Sequence, residues 1–135
     1  MDAAQALADL LEISPQVDAA ALFRGGEILG AVGVDEEAAE RVVGSAGLLL
    51  DAAGEFRSDG ARVTQVHVTL AGAGVFVVRE PEGERAAVAV ASRAATPGLV
   101  FYDLKRCLAA TAEETKPRPK PRRRRTKKEE PGDGA

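Results

Sequence analysis

Tryptophan is missing from this 135-residue chain, and cysteine, histidine, methionine and tyrosine each occur once. The single cysteine, Cys107, excludes an intrachain disulfide, and with His67 as its one companion it leaves no set of soft ligands for a zinc site. That usage favours a reducing, cytoplasmic setting. With Tyr102 and four phenylalanines as the aromatic residues, the core has to be made from Val, Leu and Ala. Such a core packs tightly but buries little area per residue, so a small domain that gains stability by association is expected. No apolar run approaches the ~20 residues that span a bilayer. The opening MDAAQALADLLE has no basic lead, is interrupted by Asp9 and Glu12, and reads as neither signal peptide nor anchor. No Walker phosphate-binding sequence occurs, so the chain does not read as a nucleotide hydrolase.

What is present divides in two. Hydrophobic residues make up 45% of the chain, enough for one globular domain. Residues 1–115 hold 9 basic and 18 acidic side chains, net −9, whereas 116–135 hold 9 and 3, net +6. The boundary separates a domain, 1–115, from a basic tail, KPRPKPRRRRTKKEEPGDGA, which cannot bury enough apolar surface to fold. Pro117, Pro119 and Pro121 recur every second residue and predict an extended, polyproline-like stretch. Arg122, Arg123, Arg124, Arg125, Lys127 and Lys128 form the densest charge cluster and a candidate site for an anionic partner. Nucleic acid or an acidic surface would be attracted without sequence preference, although aromatic residues for base stacking are absent. A solubilising tail, or one that folds back on the acidic body, satisfies the same composition.

Within the domain, DEEAAERVVGSAGLLLDAAG at 35–54 predicts the organising helix. At about 100° per residue, Ala38, Ala39, Val42, Val43, Ala46, Leu49, Leu50, Ala52 and Ala53 cover roughly half its circumference, wider than the ~100° stripe of a helix with one packing face. Asp35 can cap its start, the following glutamates suit the positive end of the dipole, and Gly54 reads as a left-handed stop. Leu48 is apolar on the polar side, and Ala46 and Gly47 keep that region slim. One flank is expected to cover a sheet and the other to meet a second subunit; a strongly twisted sheet would also use a wide arc.

Around it, 3–12 predicts a short first helix capped by Asp2. Two strands, 17–23 and 27–32, flank a Gly25-Gly26 hairpin turn in which both glycines can take positive φ. Alternation in VTQVHVTL, 63–70, predicts a half-buried strand with Val66, Val68 and Leu70 on one face and Val63, Gln65, His67 and Thr69 on the other. Turns at 71–74 and 81–84 lead to strands 75–79 and 85–92, the last apolar on both faces and therefore central. Thr96-Pro97 opens a final helix whose stripe is Val100, Phe101, Leu104, Cys107 and Leu108. The order α-β-β-α-β-β-β-α predicts an α+β fold, a five-stranded antiparallel sheet with helices on both faces.

Catalytic signatures are weak throughout. Gly72-Ala73-Gly74 leads into a strand and not a helix, so it reads as a turn and not as a phosphate cradle. His67 lacks a neighbouring nucleophile or carboxylate in sequence and reads as a polar residue on the less buried face. Cys107 reads as a core thiol, and Glu36, Glu37 and Glu40 as a solvated helix face.

The element order, together with Val17-Asp-Ala-Ala-Ala-Leu-Phe, the Gly25-Gly26-Glu27-Ile-Leu hairpin, helix 35–54, strand 63–70 with Gly74-Val-Phe-Val-Val, and Pro97-Gly-Leu-Val with Leu104, resembles the roadblock/dynein light chain family. The resemblance covers residues 1 to about 112 and carries no catalytic motif. It implies a profilin-like fold, no enzymatic activity and no cofactor. It implies a homodimer, or a heterodimer, joined through the second helix and the adjacent edge strand. It further implies a regulator or scaffold for a small Ras-like GTPase, whose hydrolysis such proteins can stimulate. Val43, Leu48, Leu50, Val63, Gln65 and His67 are the dimer-face residues expected on that basis.

Overall fold

The computed structural model describes residues 1–92 and 95–115, with side chains described to residue 112. The elements are α1 (Ala3–Ile13), β1 (Ala19–Arg24), β2 (Glu27–Val32), α2 (Glu36–Gly54), β3 (Gln65–Leu70), β4 (Ala73–Arg79), β5 (Arg85–Ala91) and α3 (Pro97–Thr115). Their order is the expected one. All neighbouring strands are antiparallel, in the spatial order β2-β1-β5-β4-β3. The last strand in sequence is thus the central one, as its small apolar residues on both faces anticipated.

Alternation along the strands divides the core into two layers. Leu22, Phe76, Val78, Ala87 and Ala89 face Leu7 and Leu10 of α1 and Val100, Leu104 and Leu108 of α3. Ala21, Phe23, Val77, Ala86 and Val88 face Val43, Ala46 and Leu50 of α2. Asp2 and Asp35 cap α1 and α2 by accepting from the amides of Gln5 and Ala38, each at 2.8 Å. Gly33 makes the entry to α2 possible: its φ is +82°, and a Cβ there would lie 2.2 Å from the Asp18 carbonyl oxygen.

Several local expectations are corrected. Gly54 is the last helical residue and lies outside the positive-φ set; α2 ends at Glu55 in αR geometry. The amides of Glu55 and Phe56 bond to the carbonyls of Ala52 and Ala53 at 3.1 and 3.2 Å, so a tightened last turn satisfies them without a left-handed residue. At the first hairpin only Gly25 has positive φ. Strand β4 begins at Ala73, leaving Gly72 (φ 73°) to make the turn. Strand β3 begins at Gln65; the Arg79 amide still bonds to the Thr64 carbonyl at 2.9 Å, but at Val63 the carbonyl accepts from the Arg79 side chain, Nε and Nη2, at 3.0 and 2.7 Å.

Candidate interaction surface

The two edges of the sheet are unlike. Strand β2 carries Glu27, its pairing with β1 slips register between Leu22 and Phe23, and α1 lies over it so closely that a Cβ on Gly30 would come 2.9 Å from that of Ala3. Those are the usual protections of an edge. Strand β3, QVHVTL, has no charged residue and no proline, and pairs with β4 in unbroken register from Gln65↔Val78 to Leu70↔Ala73. Its outer side is an unguarded template for another strand.

Next to this edge, the wide apolar arc of α2 separates into two flanks. Ala39, Val43, Ala46 and Leu50 are buried against the sheet, while Ala38, Val42, Leu49 and Ala53 are half-buried and Ala52 is exposed. The helix approaches β3 beside Val63, whose Cγ2 would lie 3.9 Å from a Cβ on Gly54. On the α2 face of β3, Val66 and Val68 are half-covered and Leu70 is 51% exposed. Leu48 projects outward from α2 at 71% exposure, and Phe56, in the turn after it, is 88% exposed. Gly44 and Gly47 have open space where a Cβ would stand. An uncharged strand edge and a partly uncovered apolar sheet corner therefore adjoin α2, whose flank of Val42, Leu49 and Ala53 is half-buried and whose Leu48 projects from the outer side.

The six dimer-face residues expected from the sequence do not form one patch. Val43 and Leu50 are 4% and 5% exposed and belong to the core beneath α2; the sheet occupies them, so they are not a free dimer face. Val63 is half-buried against the same cluster, out of phase with the strand that follows. His67 lies on the opposite face of the sheet, stacked on Phe76 at 4.4 Å and 12° and edge-on to Phe101 of α3 at 6.3 Å. Gln65 shares that face by strand alternation. Of the six, Leu48 alone projects from α2. Val66, Val68 and Leu70 share the apolar face that the sequence predicts, and their periodicity is the same whether the cover is a helix of this chain or something else. Residues 116–135, with the anionic-partner candidates Arg122, Arg123, Arg124, Arg125, Lys127 and Lys128, lie outside the described residues.

Elsewhere, the polar groups serve the architecture. Arg85 is 4% exposed and donates to Thr111 Oγ1 at 2.5 Å, the Leu108 carbonyl at 2.9 Å and Glu80 Oε2 at 3.1 Å, fastening α3 to β5. Burial and the neighbouring Arg62 hold the Arg79 guanidinium below its usual pKa, and it remains a cation at neutral pH. Burial pushes the Cys107 thiol up to about 11, which suits the expected core thiol and not a nucleophile. Among the described residues no cluster of three or more His, Cys, Asp or Glu could hold a metal ion, and no helix is long and apolar enough to cross a membrane.

Several solved structures share this geometry. The roadblock/LC7 domain from Streptomyces avermitilis matches with a TM-score of 0.75, over 85% of this chain and 98% of that one, at 22% identity. The fold is that of the roadblock/LC7 domain. The gliding protein MglB from Thermus thermophilus matches this roadblock fold with a TM-score of 0.61, at 23% identity, over 83% of this chain and 89% of that one. Profilin IA from Acanthamoeba castellanii matches with a TM-score of 0.52, at 16% identity, over 82% and 97% of the two chains, which marks the wider profilin-like architecture. No family model matches the sequence, and no curated protein matches it either.

Proposed function

We propose that this chain is a non-catalytic regulator or scaffold that acts as a homodimer and binds a small Ras-like GTPase. The observation that carries the reading is the unprotected edge of β3 beside the half-covered corner of Val66, Val68 and Leu70, with Leu48 projecting from the outer side of α2. A second copy related by a two-fold axis would extend the sheet through β3 and cover both corners with one self-complementary patch. The roadblock fold supports the choice of a GTPase as partner, and the polar groups described above all have architectural tasks, which fits a protein that works by surface shape.

Mass in solution and partner binding test the two halves separately. Sedimentation of the full chain at micromolar concentration should give twice the chain mass, and Leu48→Glu or Val68→Lys should shift it to the monomer with the circular dichroism retained. A monomeric wild-type chain, or a dimer indifferent to both substitutions, removes the structural basis of the proposal. If the dimer stands, small GTPases of the source organism loaded with a GTP analogue should be retained on the immobilised wild-type chain and lost from the Leu48→Glu variant. Equal retention by both would detach GTPase binding from dimer formation.

A further inference from the structure

The flank of α2 turned away from β3 carries a second feature. Helical spacing puts Glu40, Gly44, Gly47 and Asp51 along it, and between it and the β1–β2 and β4–β5 hairpins lies a groove of about 470 Å³. Phe23, Ile28 and Leu50 line it, the exposed Leu48 stands at its lip, and Glu84 and Arg79 belong to its wall. The glycines leave the helix backbone open to close approach by another chain.

We infer that this groove is the docking site for the chain's own basic segment, residues 116–128. Four observations on opposite sides of the molecule converge. The first is charge. Glu40, Asp51 and Glu84 of the groove outnumber its one cation, Arg79, and Glu82 adds an acid at the adjoining hairpin. The nearby Arg24 and Arg85 are already paired with Glu27 and Glu80. Arg62, a further cation at that end, donates to the carbonyls of Glu80 and Gly83. The segment supplies nine Lys and Arg in thirteen residues. The second is where the segment begins. Arg85, next to Glu84 of the groove, bonds to Thr111, so α3 ends roughly 6 Å beyond that anchor, at the same end of the sheet where the groove opens. The third is reach. Thirteen extended residues span about 40 Å, against roughly 20 Å between helix layers on the two faces of a sheet. The fourth is chemistry: prolines interleaved with cations can set rings against Leu48 and Ile28 while the cations meet the acids, with little ordering entropy to lose.

The groove shares Leu48 with the proposed subunit contact, but Glu40, Asp51 and Glu84, which carry the inference, are no part of that contact. A nitroxide on Lys120→Cys in the full-length chain tests it. Cys107 is buried with its thiol pushed up to about 11, and is left unlabelled at neutral pH. Amide resonances of Gly25, Gly44 and Gly47 should lose at least half their intensity relative to the reduced label, and those of α1 should not. The loss should disappear in the triple variant Glu40→Lys, Asp51→Lys, Glu84→Lys, whose substitutions are all at exposed positions. Absent broadening, or broadening spread over all acidic surfaces, overturns the inference. So does broadening that appears only in mixed samples where label and isotope are on different chains, since the occupant would then be another copy's tail.

Discussion

Arg85 offers the most quantitative test of how this domain is held together. Its side chain is 5% exposed and its partner Glu80 25%, so the pair lies between a fully buried ion pair and a surface one. Replacing Arg85 with Ala removes three donated hydrogen bonds. It does not orphan the acceptors on α3, because Thr111 Oγ1 already donates to the Leu108 carbonyl at 2.9 Å. Glu80 keeps the Arg85 amide, at 3.1 Å, and can turn to water. The cost should therefore fall at or below the lower end of the ~3–5 kcal/mol for breaking a fully buried pair. It should still exceed the ~1.5–3 kcal/mol of a single charged hydrogen bond once the vacated volume is included. We expect about 3 kcal/mol for Arg85→Ala and about 2 kcal/mol for Arg85→Met, which retains the apolar stem. Against a total of roughly 5–15 kcal/mol for a domain, either loss is large. Urea unfolding of the full chain, at two protein concentrations ten-fold apart to account for subunit association, reads the difference at constant slope. A midpoint shift worth under about 0.5 kcal/mol for Arg85→Ala, the range of ordinary surface changes, would show that α3 is held by its apolar stripe alone and refute the clamp.

Further outcomes follow from particular residues. Gly33→Ala should destabilise by about 2 kcal/mol or more, since it combines positive φ with a clash against the Asp18 carbonyl; thermal melts would show it. The Cys107 thiol, raised to about 11 from its ordinary 9.0, ionises first in the unfolded chain. Its contribution is therefore complete below pH 9 and lost as pH climbs to about 11, by roughly 2–3 kcal/mol. Denaturation of wild type and Cys107→Ala at pH 8 and 10.5 should show the steeper decline in the wild type, and equal slopes would contradict the burial argument. Arg24→Ala, which breaks the exposed Arg24–Glu27 pair, should change stability by no more than about 1 kcal/mol in the same denaturation assay.

Sequence alone determined what depends on neighbours along the chain. The eight elements came from strand alternation, helical spacing, capping aspartates and turn glycines, and all of these are local consequences of backbone geometry. The central place of β5 was legible because residues small and apolar on both faces need cover on both. Tertiary structure decided what depends on which surfaces meet. The periodicity of α2 marked a wide arc without saying that Val43 and Leu50 lie on the buried flank and Val42 and Leu49 on the half-open one, because hydrophobicity does not name its partner. Alternation in β3 put His67 opposite Val66, but only the stacking on Phe76 shows which helices lie on its side. The phase of Val63 could not be read either, since its carbonyl accepts from the side chain of Arg79, which comes from β4. Arg85 opens its strand, and its burial arises because α3 folds back across it to supply Leu108 and Thr111. Local pattern sets the elements; long-range packing sets which of their faces remains available to a partner.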